Sequence, residues 1–158
     1  MFKDLVASSD CTNDHVSEYK LSELKKQIVD ATNTPAGRVV YPTAFIFHES
    51  RVGSTLVANL LGSDPFNLVY SESAPPASIL LRSNLNSPVG LEALFRDIVT
   101  VMGRSPIHKR LFFKFQSITT TKMAIALQVS SASVAFMTPS YHLLAYYVSC
   151  YTLTVVYS

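Results

Sequence analysis

Apolar residues along this chain alternate between helically spaced sets and short continuous runs. Residues 1–16 carry no period and read as a loose polar tail. From Ser17, Leu21, Leu24, Ile28 and Val29 recur at helical spacing, with Glu18, Lys20, Glu23, Lys25 and Lys26 on the other faces. That predicts a short amphipathic helix, closed by Asn33-Thr34-Pro35-Ala36-Gly37. Ala44 to Phe47 is an aromatic, apolar run that reads as a buried strand. Beyond the loop that follows it, Leu56, Val57, Leu60 and Leu61 are expected on one side of a helix ending at Gly62-Ser63-Asp64-Pro65.

The same alternation continues. Phe66 to Tyr70 predicts a second strand ending in Ser71-Glu72-Ser73, and Pro75-Pro76 opens a helix with Ile79, Leu80, Leu81 and Leu85 as its apolar face. After a break over residues 84–90, Leu91, Leu94, Phe95, Ile98 and Met102 mark a longer helix, closed by Gly103. Arg110 to Gln116 predicts a third strand. Ser117 and Thr119 to Thr121 offer N-caps for a helix through Met123, Ile125, Ala126 and Leu127. Strands alternating with helices predict an α/β fold, a three-layer, mainly parallel sheet flanked by helices.

Composition restricts the function classes. The chain has 158 residues, enough for one domain with a real core, and 15% of them are charged, against about a quarter in typical proteins. Its net charge of +2 is too small and too dispersed to argue for nucleic acid, so any anion binding must come from a local site. Cys11 and Cys150 form no metal-binding or disulfide spacing, and no metal is expected. Acidic and polar residues stand at the N-terminus where a signal peptide would need its apolar run, which points to a cytoplasmic location.

The chemistry concentrates between Phe45 and Leu61. A strand, a short loop holding Arg51 and Gly53, and a helix follow one another, a P-loop-like order. A helix entered through a glycine-containing turn aims free backbone N–H groups and a positive dipole end at an anion. Ser54 and Thr55 add hydroxyl donors, and Arg51 adds a permanent charge. In an open α/β sheet, ligands gather at the carboxyl ends of parallel strands, which places Glu72 near the same edge. Lys114 stands inside an aromatic strand. Burying an unpaired ammonium is costly, so this lysine should point at a partner near the sheet edge, unless it is an edge-strand gatekeeper. His48 beside Glu49 reads as a turn residue making backbone contacts.

The character of the chain changes after Gln128. No Asp, Glu, Lys or Arg follows Lys122, and five of the eight tyrosines fall between Tyr141 and Tyr157. Three explanations compete: a C-terminal membrane anchor, a buried strand pair formed by Val134–Met137 and Leu153–Tyr157, or a tail not selected as part of this fold, as a retained intron or shifted frame would give. Ser149, Cys150, Thr152 and Thr154 interrupt an anchor. The abrupt loss of charge and period favours the third explanation. The expected organisation is therefore a tail over 1–16, a partial α/β domain over 17–128, and an atypical uncharged segment over 129–158.

The order Arg51-Val52-Gly53-Ser54-Thr55 between strand and helix, with Ser71-Glu72 after the second strand and Lys114 on the third, resembles the N-terminal half of the sulfotransferase family. Those enzymes transfer a sulfuryl group from 3′-phosphoadenosine-5′-phosphosulfate to a hydroxyl or amine of a small molecule or carbohydrate. The resemblance implies that backbone amides at Val52, Gly53, Ser54 and Thr55 cradle the 5′-phosphosulfate. It also implies that Arg51 neutralises charge on the bridging oxygen, and that Lys114 approaches the transferring group. Many members carry a histidine base two residues after that lysine, where this chain has Gln116; others use a glutamate after the second strand, and Glu72 stands there.

Two departures qualify the resemblance. After a fourth strand the family holds the 3′-phosphate with an arginine-containing turn, and here Val134 to Met137 is followed by Thr138-Pro139-Ser140. Loss of such a contact removes about 1.5–3 kcal/mol of binding. The acceptor pocket of the family also extends beyond what this chain supplies, so the expectation is a sulfotransferase-like domain that binds the cosubstrate and either transfers its sulfuryl group or is inactive through truncation. The competing readings are a non-catalytic fragment and, less favoured, a P-loop kinase or nucleotide hydrolase. The last lacks the GxxxxGK[ST] spacing, since no Lys follows Gly53.

Overall fold

A computed structural model describes residues 19–30, 38–82, 88–129, 132–140 and 150–156. The N-terminal tail, the breaker at residues 33–37, Leu85, Cys11 and Tyr157 lie outside the described residues. The elements run α1 (Leu21–Asp30), β1 (Pro42–His48), α2 (Ser54–Gly62), β2 (Asn67–Ser71), α3 (Ala74–Leu81), α4 (Pro88–Met102), β3 (Arg110–Lys114), a 3-10 turn (Ser117–Lys122), α5 (Met123–Val129), β4 (Ser133–Ser140) and β5 (Cys150–Val156).

The strands form one sheet in the order β2-β3-β1-β4-β5. Its first four strands are parallel, and β5 runs antiparallel along β4. Parallel neighbours need crossovers, which the intervening helices supply. Phe45 stands opposite Phe113 on β3 and Val134 on β4, and β1 is the middle strand of the five.

Alternation along the strands divides the core into two layers. Phe45 and Phe47 of β1, with Leu111, Phe113 and Phe115 on and just after β3, face Leu80 of α3, Phe95 and Val99 of α4, and Ala126 of α5. The aromatic rings stack across the strands, Phe47 on Phe115 at 4.9 Å and Phe45 on Phe113 at 5.9 Å between centroids. Ile46, Ala135 and Met137 point the other way, where Val52 and the partly buried Val57 and Leu61 of α2 cover them. Helices thus flank both faces of the sheet.

Two details depart from the sequence expectation. Of the four apolar residues expected on one side of α2, Leu56 and Leu60 are 61% and 63% exposed, while Ser54 and Ala58 are buried. The segment from Ser117, expected to cap a helix, winds first as a 3-10 turn whose preceding residue, Gln116, makes no side-chain cap. Its carbonyl instead accepts from the Thr119 amide and hydroxyl, at 3.0 and 2.7 Å.

Val134 to Met137, read from sequence as a strand in one of three explanations of the uncharged segment, lies within β4, where Val134 is fully buried and Met137 3% exposed. Among the described residues, no helix is long and apolar enough to cross a membrane.

Candidate functional site at the carboxyl edge of the sheet

The helix following β1 packs on one face of the sheet, and the 3-10 turn and α5 following β3 pack on the other. The chain therefore leaves the carboxyl ends of two adjacent strands in opposite directions, and a crevice opens between them. A cavity of about 420 Å³ lies there. Its walls are the β1–α2 loop, the end of β3 with the first residues of the 3-10 turn, and Glu72 from the β2–α3 turn.

The loop is held by its own sequence. Val52, 1% exposed, is anchored against Ile46, Ala135 and Met137, which fixes the turn to the sheet. Gly53 caps α2 at φ 74°, a left-handed conformation that a side chain would disfavour. Its carbonyl accepts from the amides of Leu56 at 2.9 Å and Val57 at 3.2 Å. Ser54 and Thr55 begin the helix, so their amides belong to the first turn, whose N–H groups have no intrahelical acceptor. Arg51 is exposed and also left-handed, at φ 65°. Such a conformation is uncommon outside glycine and clusters at functional sites.

Glu72 is the second non-glycine residue with positive φ among the described residues, at 56°, and it lines the same cavity. Its amide donates to the Lys114 carbonyl at 2.7 Å, and its carboxylate accepts from the Lys114 ammonium. The register explains the meeting, since Lys114 stands opposite Ser71 on β2 and Ile46 on β1. The Lys114 side chain is 1% exposed and that of Glu72 44%. A buried cation is thus neutralised by a carboxylate that remains open to the cavity, and Lys114 is central in the sheet rather than an edge gatekeeper.

All seven residues singled out for the loop and its neighbours, Arg51 through Thr55 with Glu72 and Lys114, line this one cavity. Gln116 lines it too, with Ser117 and Ile118. His48 makes the backbone contact expected of it, with Nδ1 2.6 Å from the Glu49 carbonyl. It is also buried in the cavity wall, a placement that the sequence pattern alone did not signal.

Other polar clusters lie elsewhere. Ser105 and His108 pair at 2.6 Å within a loop, where Ser105 Oγ also accepts from the His108 amide at 3.2 Å. Among the described residues, no group of three His, Cys, Asp or Glu could hold a metal ion. Comparison of the chain with protein-family models, with curated proteins and with solved structures finds no match to any of them.

Proposed function

We propose that the chain is a sulfotransferase-like α/β domain that binds 3′-phosphoadenosine-5′-phosphosulfate or its 3′,5′-bisphosphate product through the β1–α2 loop. The observation that carries this reading is the convergence of the loop, Lys114 and Glu72, three separate segments of sequence, on one cavity at the carboxyl edge of the sheet. A multiply charged 5′ group would accept from the amides of Val52 to Thr55, at the positive end of α2. Arg51 would offset charge developing on the bridging oxygen as the sulfuryl group leaves, and Lys114 would approach the transferring group. Glu72 would take the proton of a hydroxyl or amine acceptor, provided by a small molecule or carbohydrate. Transfer of this kind depends on positioning and charge stabilisation more than on covalent chemistry.

No arginine follows β4 in sequence to hold a 3′-phosphate. The proposal is accordingly one of binding, and a non-catalytic relative of the family is the second reading. It is supported by the same missing arginine and by the pairing of Glu72 with Lys114, which occupies the proposed base.

Calorimetry tests the proposal. Adenosine 3′,5′-bisphosphate is expected to bind more tightly than ATP–Mg²⁺, and the reverse order would favour a P-loop nucleotide enzyme. Arg51→Ala should weaken bisphosphate binding by about ten- to a hundredfold, the loss of one charge-assisted contact. Unchanged affinity would remove the loop as the anion site.

A further inference from the structure

His48 ends β1 and is 7% exposed. Alternation places it on the same side of the strand as Ile46, the side covered by α2 and its entry loop. It lines the cavity. Its Nδ1 lies 2.6 Å from the Glu49 carbonyl, and because a carbonyl only accepts, Nδ1 carries a proton. Its Nε2 is buried and has no hydrogen-bond partner among the described residues. The ring is thus oriented by one nitrogen while the other is buried and unsatisfied.

The groups around it set what Nε2 can do. On the cavity wall β3 presents the Lys114 ammonium, the loop presents Arg51, and the β2–α3 turn presents Glu72. Met137 stands opposite His48 on β4, and Thr120 of the 3-10 turn donates its hydroxyl to the His48 carbonyl at 3.0 Å; neither titrates near neutrality. From α2 come Ser54 and Thr55, also uncharged. A dianion is repelled by a neutral Nε2 lone pair turned toward it, whereas an Nε2–H donates to it.

We propose that His48 is a ligand of the bound anion and that binding takes up one proton, held between Nε2 and an anion oxygen. The proton leaves a buffer acid, whose bond to hydrogen breaks as the Nε2–H bond forms and whose conjugate base stays in solution; no bond of the anion breaks. This assignment rests on the loop being the anion site.

The test counts protons. Adenosine 3′,5′-bisphosphate is titrated calorimetrically into the native chain in two buffers of different ionisation heat, at about pH 7.5, and uptake approaching about one proton is expected. His48→Gln and His48→Asn, checked for native circular dichroism, should bind with that uptake lost. Inorganic sulfate, which has no proton to exchange in this range, is titrated in parallel and followed at the Gly53 and Ser54 amides by NMR. Its binding should tighten at least about fivefold from about pH 8 to about pH 6 in the native chain, and stay flat in the variants. Binding without proton uptake in the native chain, or equal uptake in a folded variant, overturns the His48 assignment alone. If the bisphosphate does not bind at either pH, the anion-site reading falls and takes this assignment with it.

Discussion

Lys114 shows how a single residue can be constrained by stability and by function in opposite directions. Its ammonium is buried, and its partner Glu72 is half-exposed. Removing the carboxylate while keeping the cation leaves an ill-compensated buried charge, whereas replacing the cation by an apolar side chain of similar length frees a carboxylate that water can reach. Glu72→Gln is therefore expected to lower stability by about 1–3 kcal/mol, while Lys114→Met should leave it unchanged or raise it. Urea unfolding checks both, and equal losses would show that the pair contributes through packing rather than charge. Lys114→Met should also weaken bisphosphate binding in calorimetry. That this lysine needs a partner was legible in sequence, because an ammonium within Leu111-Phe112-Phe113 has no cheap alternative. The burial of His48 with an unsatisfied Nε2 was not legible, since nothing in the spacing tells an exposed turn histidine from one turned beneath the α2 entry loop.

At the scale of the element, α2 is where pattern reading loses resolution. Leu56, Val57, Leu60 and Leu61 are adjacent pairs one turn apart, and such a set spans about 140° of the helix circumference, a broad arc with no sharp centre. The sequence therefore identifies a helix without choosing its buried side. The choice comes from the loop: Val52 packed into the sheet and Gly53 in a left-handed cap fix the helix rotation, turning Ser54, Ala58, Val57 and Leu61 inward. Leu61→Ala is accordingly expected to cost about 1–3 kcal/mol, the lower part of the core range because Leu61 is only partly buried. Leu60→Gln should stay within about 0.5 kcal/mol, as exposed substitutions do. Thermal unfolding followed by circular dichroism separates the two, and a large loss at Leu60 would mean that this face is covered in solution. The strands were easier to place, because Phe45 to Phe47 and Leu111 to Phe113 are buried on both sides and read as continuous apolar runs.

For the whole molecule, the decisive relation is between β1 and the uncharged segment beyond Gln128. β1 carries the site loop at its end, and its neighbours are β3 on one side and β4 on the other. β4 also touches the loop directly, since the Glu49 amide donates to the Met137 carbonyl at 3.1 Å. Val134 joins the aromatic layer, while Ala135 and Met137 sit under Val52. A strand buried on both faces demands uncharged residues, so the absence of charge from Ser133 to Met137 has a physical reason at that place. The sequence alone could not supply that reason, because the same absence also suits a segment foreign to the fold. Deletion distinguishes the two. If β4 belongs to the fold, removing residues 133–158 should strip β1 of a partner, expose Phe45 and Ile46, and abolish cooperative urea unfolding and bisphosphate binding together. Removing only residues 141–158 takes away the antiparallel edge strand and should leave a folded chain of lower stability, since β4 keeps its pairing to β1. If the segment is foreign, the longer deletion should leave the unfolding midpoint and the binding constant where they were, and the α/β core through α5 would then hold the site loop by itself.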